Sequence, residues 1–119
     1  MVLGDMTWDQ FWYDTRYNME SYLKTLADAK IPTTFYHLPG NHDNDPYYAG
    51  DFQAEAAYKQ YLGPTYYSFN LGKVHYIALD NNVDINNGAS VGSSGDRSFR
   101  KYLTEIELNW LKKDLAQVD

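Results

Sequence analysis

Thr33-Thr34-Phe35-Tyr36-His37-Leu38-Pro39-Gly40-Asn41-His42-Asp43 decides how the rest of the chain is read. Its first six residues, β-branched or aromatic but for Leu38, lie between Pro32 and Pro39, which is the composition of a strand bounded at both ends. The last four, Gly40 to Asp43, form a turn rich in groups that do chemistry. Upstream, Met1-Val2-Leu3 reads as the end of a buried strand that opens into a loop at Gly4-Asp5. From Asp9, a plausible N-cap, to about Lys30 the chain is predicted helical, with Met19, Tyr22, Leu23, Leu26 and Ala27 on one face and Pro32 beyond its end. Strand, helix, strand favours a parallel pair with a right-handed crossover. That topology brings Asp5 and Asn41 to the same edge of the sheet, where open α/β sheets receive ligands.

Downstream, residues 51–62 are predicted helical, with Phe52, Ala56 and Tyr61 available for one face, up to the break at Gly63-Pro64. Tyr66 to Asn70 and Val74 to Leu79 read as a hairpin, because Gly72-Lys73 suits a two-residue turn that needs glycine first. Residues 81–98, rich in Asn, Gly and Ser, are predicted to form a long loop. Thr104-Glu105-Ile106-Glu107 is a capping box that starts a last helix, whose apolar stripe is Ile106, Trp110, Leu111, Leu115 and Val118. The fold class expected is therefore α/β.

Composition narrows the function. With 44% hydrophobic and 22% charged residues in a chain of 119, one ordinary domain or part of one is expected. The net charge of -6, with Lys and Arg scattered singly, argues against binding a nucleic-acid backbone. Without cysteine there is no disulfide, thiolate metal site or cysteine nucleophile. No apolar run reaches the roughly 18 residues of a membrane span, and the chain carries no signal that assigns a compartment.

In Gly40-Asn41-His42-Asp43, Asn offers a neutral oxygen ligand, His a proton donor or metal ligand, and the following Asp a carboxylate able to orient that imidazole. The same tetrapeptide is also a serviceable turn. Pairing it with the carboxylate of Asp5 gives it weight, since a carboxylate bridging two cations roughly 3.5 to 4 Å apart is a common part of phosphoryl-transfer sites. His37 and His75 lie inside strand-like runs and are read as hydrogen-bonded core histidines, and Asp80 as a turn former before Asn81-Asn82. Most of the twelve tyrosines fall in patterns that would use them as core. Asp43-Asn44-Asp45 does not continue as a calcium loop, because Tyr47 stands at the next acidic position.

Through Val2-Leu3-Gly4-Asp5 and Leu38-Pro39-Gly40-Asn41-His42-Asp43 the sequence resembles the calcineurin-like metallophosphoesterases. The run Tyr67 to Asp80 and the run from Leu103 to Leu115 are similar to the hairpin and next helix of the purple-acid-phosphatase-like branch, so the resemblance extends over nearly the whole chain. It implies a partial metallophosphoesterase β-sandwich flanked by helices, with residues 1–119 the central part of one catalytic domain truncated at both ends. It also implies that Asp5 bridges two metal ions (Mn, Fe or Zn), that Asn41 ligates one of them, that His42 protonates the leaving group or stabilises the transition state, and that Asp43 supports His42. The reaction implied is hydrolysis of a phosphate mono- or diester by metal-activated hydroxide, on a small-molecule, nucleotide or lipid-headgroup ester. The family's Asp-x-His motif before Asp5, its further His and its Gly-His-x-His motif do not occur here, so the chain alone is expected to be inactive. Met6-Thr7-Trp8-Asp9-Gln10 after Asp5 departs from the Asp-Arg-Gly pattern of the phosphoprotein phosphatases, which disfavours that role. Two other readings stand beside this one: a non-catalytic, tyrosine-rich binding module, and a phosphoesterase-like interaction domain that has lost its chemistry. For the chain by itself, the open edges of an incomplete sheet are expected to favour self-association or reliance on a missing partner segment.

Overall fold

A computed structural model describes residues 1–7, 18–85 and 98–118. Strand β1, Val2–Leu3, pairs in parallel with β2, His37–Leu38, in the register Val2 to His37 and Leu3 to Leu38. The Val2 N–H also reaches the Tyr36 carbonyl at 2.8 Å. Only His37 and Leu38 of the expected 33–38 strand join the ladder, because β1 offers two residues to pair with. Helix α1, Met19–Ala29, connects them. Asn18 caps it, its side chain accepting the Ser21 N–H at 2.9 Å, and Lys30 ends it in the left-handed region at φ 50°. The helix expected to run unbroken from Asp9 is corrected at Asn18, whose backbone is extended and from which the helix starts; Asp9 itself lies outside the described residues.

After the Gly40 loop come α2, Asp51–Ala54, and α3, Ala56–Leu62, separated by a break at Glu55. Of the face expected from Phe52, Ala56 and Tyr61, Tyr61 packs against the core while Phe52 and Ala56 are exposed. Phe52 is 79% exposed, with the Lys59 ammonium 4.4 Å above its ring, while Ala54, Glu55 and Tyr58 are buried. The break at Glu55 interrupts the helical phase, so spacing read across it puts Phe52 on the wrong side.

Strands β3, Tyr67–Leu71, and β4, Val74–Ala78, form the expected antiparallel hairpin. Gly72 takes φ +60° and Lys73 does not follow it to positive φ, which is the pattern of a type II′ turn. Tyr36, Phe69 and Tyr76 stack nearly parallel, with centroids 3.8 and 5.2 Å apart, so the residue before β2 packs on the hairpin. Within the expected 81–98 loop, Asn82–Asp84 is instead a strand, β5, paired antiparallel with β6, Phe99–Lys101. A three-residue strand with one apolar residue, the buried Val83, leaves almost no periodic signal.

Helix α4, Glu105–Leu115, starts as its capping box predicts, with the Thr104 hydroxyl accepting the Glu107 N–H at 3.2 Å. Its apolar stripe is corrected: Ile106, Leu115 and Val118 are exposed, Trp110 and Leu111 half-buried, and the acid Glu107 is the buried residue. Helices and three two-stranded sheets make the described residues α/β. Their main core is Met6, Met19 and Tyr58, with Val2, Tyr22, Tyr61 and Leu62 packed against it. No helix among them is long and apolar enough to cross a membrane.

Candidate strand-end site

The loops that leave β1 and β2 interlock. Gly4 and Asp5 both adopt positive φ, +83° and +53°, a reversal that glycine takes freely and aspartate tolerates better than most residues. The turn brings Gly4 against Gly40 so closely that a Cβ on Gly4 would lie 2.6 Å from the Gly40 Cα. A Cβ on Gly40 would lie 2.1 Å from the Asp5 Oδ1. Neither position has room for a side chain.

Asp43 fastens the pair. Its Oδ2 accepts the backbone N–H groups of Asp5, at 2.8 Å, and Gly40, at 2.7 Å, while Oδ1 faces the N–H and hydroxyl of Thr7 at 3.4 and 3.5 Å. Fully buried, it has a pKa raised chiefly by loss of solvent, an effect the N–H groups of Gly40, Asp5 and Thr7 oppose. The carboxyl expected to support His42 is thus committed to the main chain of both loops. Asp5 replies from the other side, its Oδ1 accepting the His42 N–H at 3.1 Å. Asp5 is exposed, and Asn41 and His42 are half-buried at the rim of the same clasp.

Asp5, Asn41, His42 and Asp43 therefore meet, as strand order requires, but they supply few free donors. One carboxylate and one amide oxygen, with an imidazole beside them, fall short of the ligand set that two cations need. Among the described residues no group of three or more His, Asp, Glu or Cys is arranged to hold a metal. The described residues do not by themselves fit a two-metal centre.

The other histidines have structural partners. His37 Nε2 lies 2.8 Å from the Tyr22 hydroxyl, and burial lowers its pKa, favouring the neutral ring. His75 lies between Asn70 Oδ1, 2.8 Å from Nδ1, and Asp114 Oδ2, 2.7 Å from Nε2. Asp80 makes the expected turn, its Oδ1 accepting the Asn82 N–H at 2.9 Å. The tyrosines divide: Tyr58 is buried, whereas Tyr47, Tyr48, Tyr76 and Tyr102 are exposed. Beside the clasp, Asn44 Oδ1 and the Tyr58 hydroxyl are buried without a hydrogen-bond partner among the described residues.

No protein-family profile matches the chain, and no solved structure does. It is similar to Purple acid phosphatase 23 of Arabidopsis thaliana, 28% identical over 115 residues, a match covering 90% of this chain and 21% of that protein. The chain thus spans about a fifth of the length of the curated relative it matches.

Proposed function

We propose that these residues form the central part of a metal-dependent phosphoesterase domain and supply one edge of its active site. The observation that carries this reading is the clasp, in which two loops at the carboxyl ends of parallel strands set Asp5 beside Asn41 and His42. The likeness to a stretch of a purple acid phosphatase supports it. Asp5 and Asn41 offer the oxygen atoms that would ligate metal, in a site completed by ligands these residues do not provide. His42 is the proton donor to the leaving oxygen of a small-molecule phosphate ester. Asp43 keeps the two loops in register so that Asp5 and His42 stay adjacent.

The test uses the protein that carries these residues together with its remaining metal ligands. His42→Ala is expected to lower turnover by roughly a hundred- to ten-thousand-fold, the contribution of a positioned acid, with little change in bound metal. Asp5→Asn is expected to lower both, since an amide lacks the charge a bridging ligand needs. Near-normal turnover of His42→Ala on esters with poor leaving groups, or unchanged metal in Asp5→Asn, removes the assignment and leaves the binding-module reading.

A further inference from the structure

The strand that leads into the site is held less by its ladder than by side chains. β1 and β2 pair over two residues each, and so short a ladder does little to fix the direction in which either strand leaves it. The Val2 N–H donates to the Tyr36 carbonyl, so Tyr36 and Leu38 turn their main-chain groups toward β1 while His37 turns its own to the opposite edge, where a third strand would lie. At that edge the Tyr67 hydroxyl donates to the His37 carbonyl at 2.7 Å. Tyr67 is the first residue of β3, so the hairpin stands in for a third strand with one side chain.

Ring contacts on both faces keep that bond in place. On one face Tyr36 stacks on Phe69 of β3, with centroids 3.8 Å apart. On the other, the His37 ring meets the Tyr22 hydroxyl of α1 at 2.8 Å, the two rings edge to face with centroids 5.6 Å apart. From His37 to the clasp the chain has little slack. Pro39 fixes its own φ and keeps Leu38 extended, and Gly40 is wedged against Gly4 with its N–H on Asp43. A shift at His37 is therefore carried along the chain to His42 rather than absorbed on the way.

We propose that Tyr67 is a positioning residue of the strand-end site, its hydroxyl setting the course of β2 and so the place of His42 beside Asp5. The inference rests on the phosphoesterase reading above and extends it to a residue outside the two loops. Tyr67 has no chemical step of its own and acts through β2 on the imidazole that protonates the leaving oxygen. A hydroxyl that served the fold alone would change stability without regard to whether that imidazole is present.

The test is a double-mutant cycle in the protein that carries these residues together with its remaining metal ligands: Tyr67→Phe, His42→Ala and the two combined. Tyr66→Phe is the control, since it removes the adjacent hydroxyl from a ring that packs on Trp110. Tyr67→Phe keeps its ring and loses only the donor. It is expected to lower kcat by roughly ten- to a hundred-fold, the cost of misplacing a reacting group by about an ångström, with KM and bound metal little changed. In the His42→Ala background the same substitution should cost almost nothing more, because no imidazole remains to be misplaced. In the 119-residue chain, amide exchange reads the link without turnover: Tyr67→Phe should hasten exchange at Gly40 and His42, whose N–H groups Asp43 and Asp5 hold, and leave the amides of α4 as they were. An unchanged kcat in Tyr67→Phe, equal losses in both backgrounds, or unchanged exchange at Gly40 and His42 overturns the inference and leaves the phosphoesterase reading standing. Near-normal turnover of His42→Ala removes that reading, and the inference falls with it.

Discussion

Asp43 does with one carboxyl what a longer loop would need several side chains to do, gathering the N–H groups of Asp5 and Gly40 on a single oxygen. An amide cannot repeat this while also facing Thr7, because it has one acceptor oxygen where the carboxylate has two. Asp43→Asn is therefore expected to set an NH₂ group against backbone or hydroxyl donors and to cost about 1–3 kcal/mol, the penalty of a buried unsatisfied group. Gly40→Ala should cost a similar amount, about 1–3 kcal/mol as for overpacking, because its methyl would displace Asp5 Oδ1 from the His42 N–H. Urea unfolding of both variants checks the size, and amide exchange at Asp5 and His42 checks the place. Unchanged protection at those two amides would show that the clasp does not hold the loops. The sequence indicated that Asp5 and Asn41 share an edge, because parallel pairing dictates it. It did not indicate where the Asp43 carboxyl goes, since bonds to main-chain N–H groups depend on loop geometry and are the same whatever residue supplies the N–H.

Among the elements, the hairpin turn and the last helix start, each with a local chemical signature, are found where they were expected. The Gly72-Lys73 turn and the Thr104 cap each depend on residues within a few positions, and both are present. The inner faces of α2, α3 and α4 depend on what lies opposite, and there periodicity misled: Glu107 is buried while Ile106 on the next position is 75% exposed. Besides Trp110 against Tyr66, with ring centroids 5.1 Å apart, polar bonds join α4 to the hairpin. Asp114 is bound by the Ser68 hydroxyl and by His75, which together hold its pKa below the usual carboxylate range. A lowered carboxylate pKa contributes stability above that range and loses it as pH falls through the lowered value. His75→Phe, which removes the ring's bonds to both Asn70 and Asp114, is expected to lower the thermal midpoint of the chain at neutral pH and to shrink the loss seen on acidification. Melting curves at neutral and acid pH measure both effects. An unchanged midpoint would mean that His75 does not join α4 to the hairpin.

At the scale of the molecule, sheet and core are small for the apolar surface that remains uncovered. Leu3, Phe52 and Ile106 are each at least three-quarters exposed, while the buried apolar residues among those described are Met6, Met19, Ala54, Tyr58, Ala78 and Val83. Each described sheet has two strands, so every strand presents an edge, and two-stranded pieces are marginal without further partners. The sequence could not reveal this, because hydrophobic periodicity marks a face as apolar without identifying what covers it. Two consequences follow for the 119-residue chain by itself. Its open edges and exposed apolar faces should drive self-association, visible as mass increasing with concentration in sedimentation. Its strand-end site, with Asp5 and Asn41 as the oxygen donors and the Asp43 carboxyl taken up by the clasp, should neither retain two metal ions nor hydrolyse phosphate esters when manganese, iron or zinc is supplied in excess. Metal analysis after gel filtration, with an assay on an activated aryl phosphate, reads both. A compact monomer that binds two metals per chain and turns over would show that the donors on these loops suffice, and that the missing motifs are not needed.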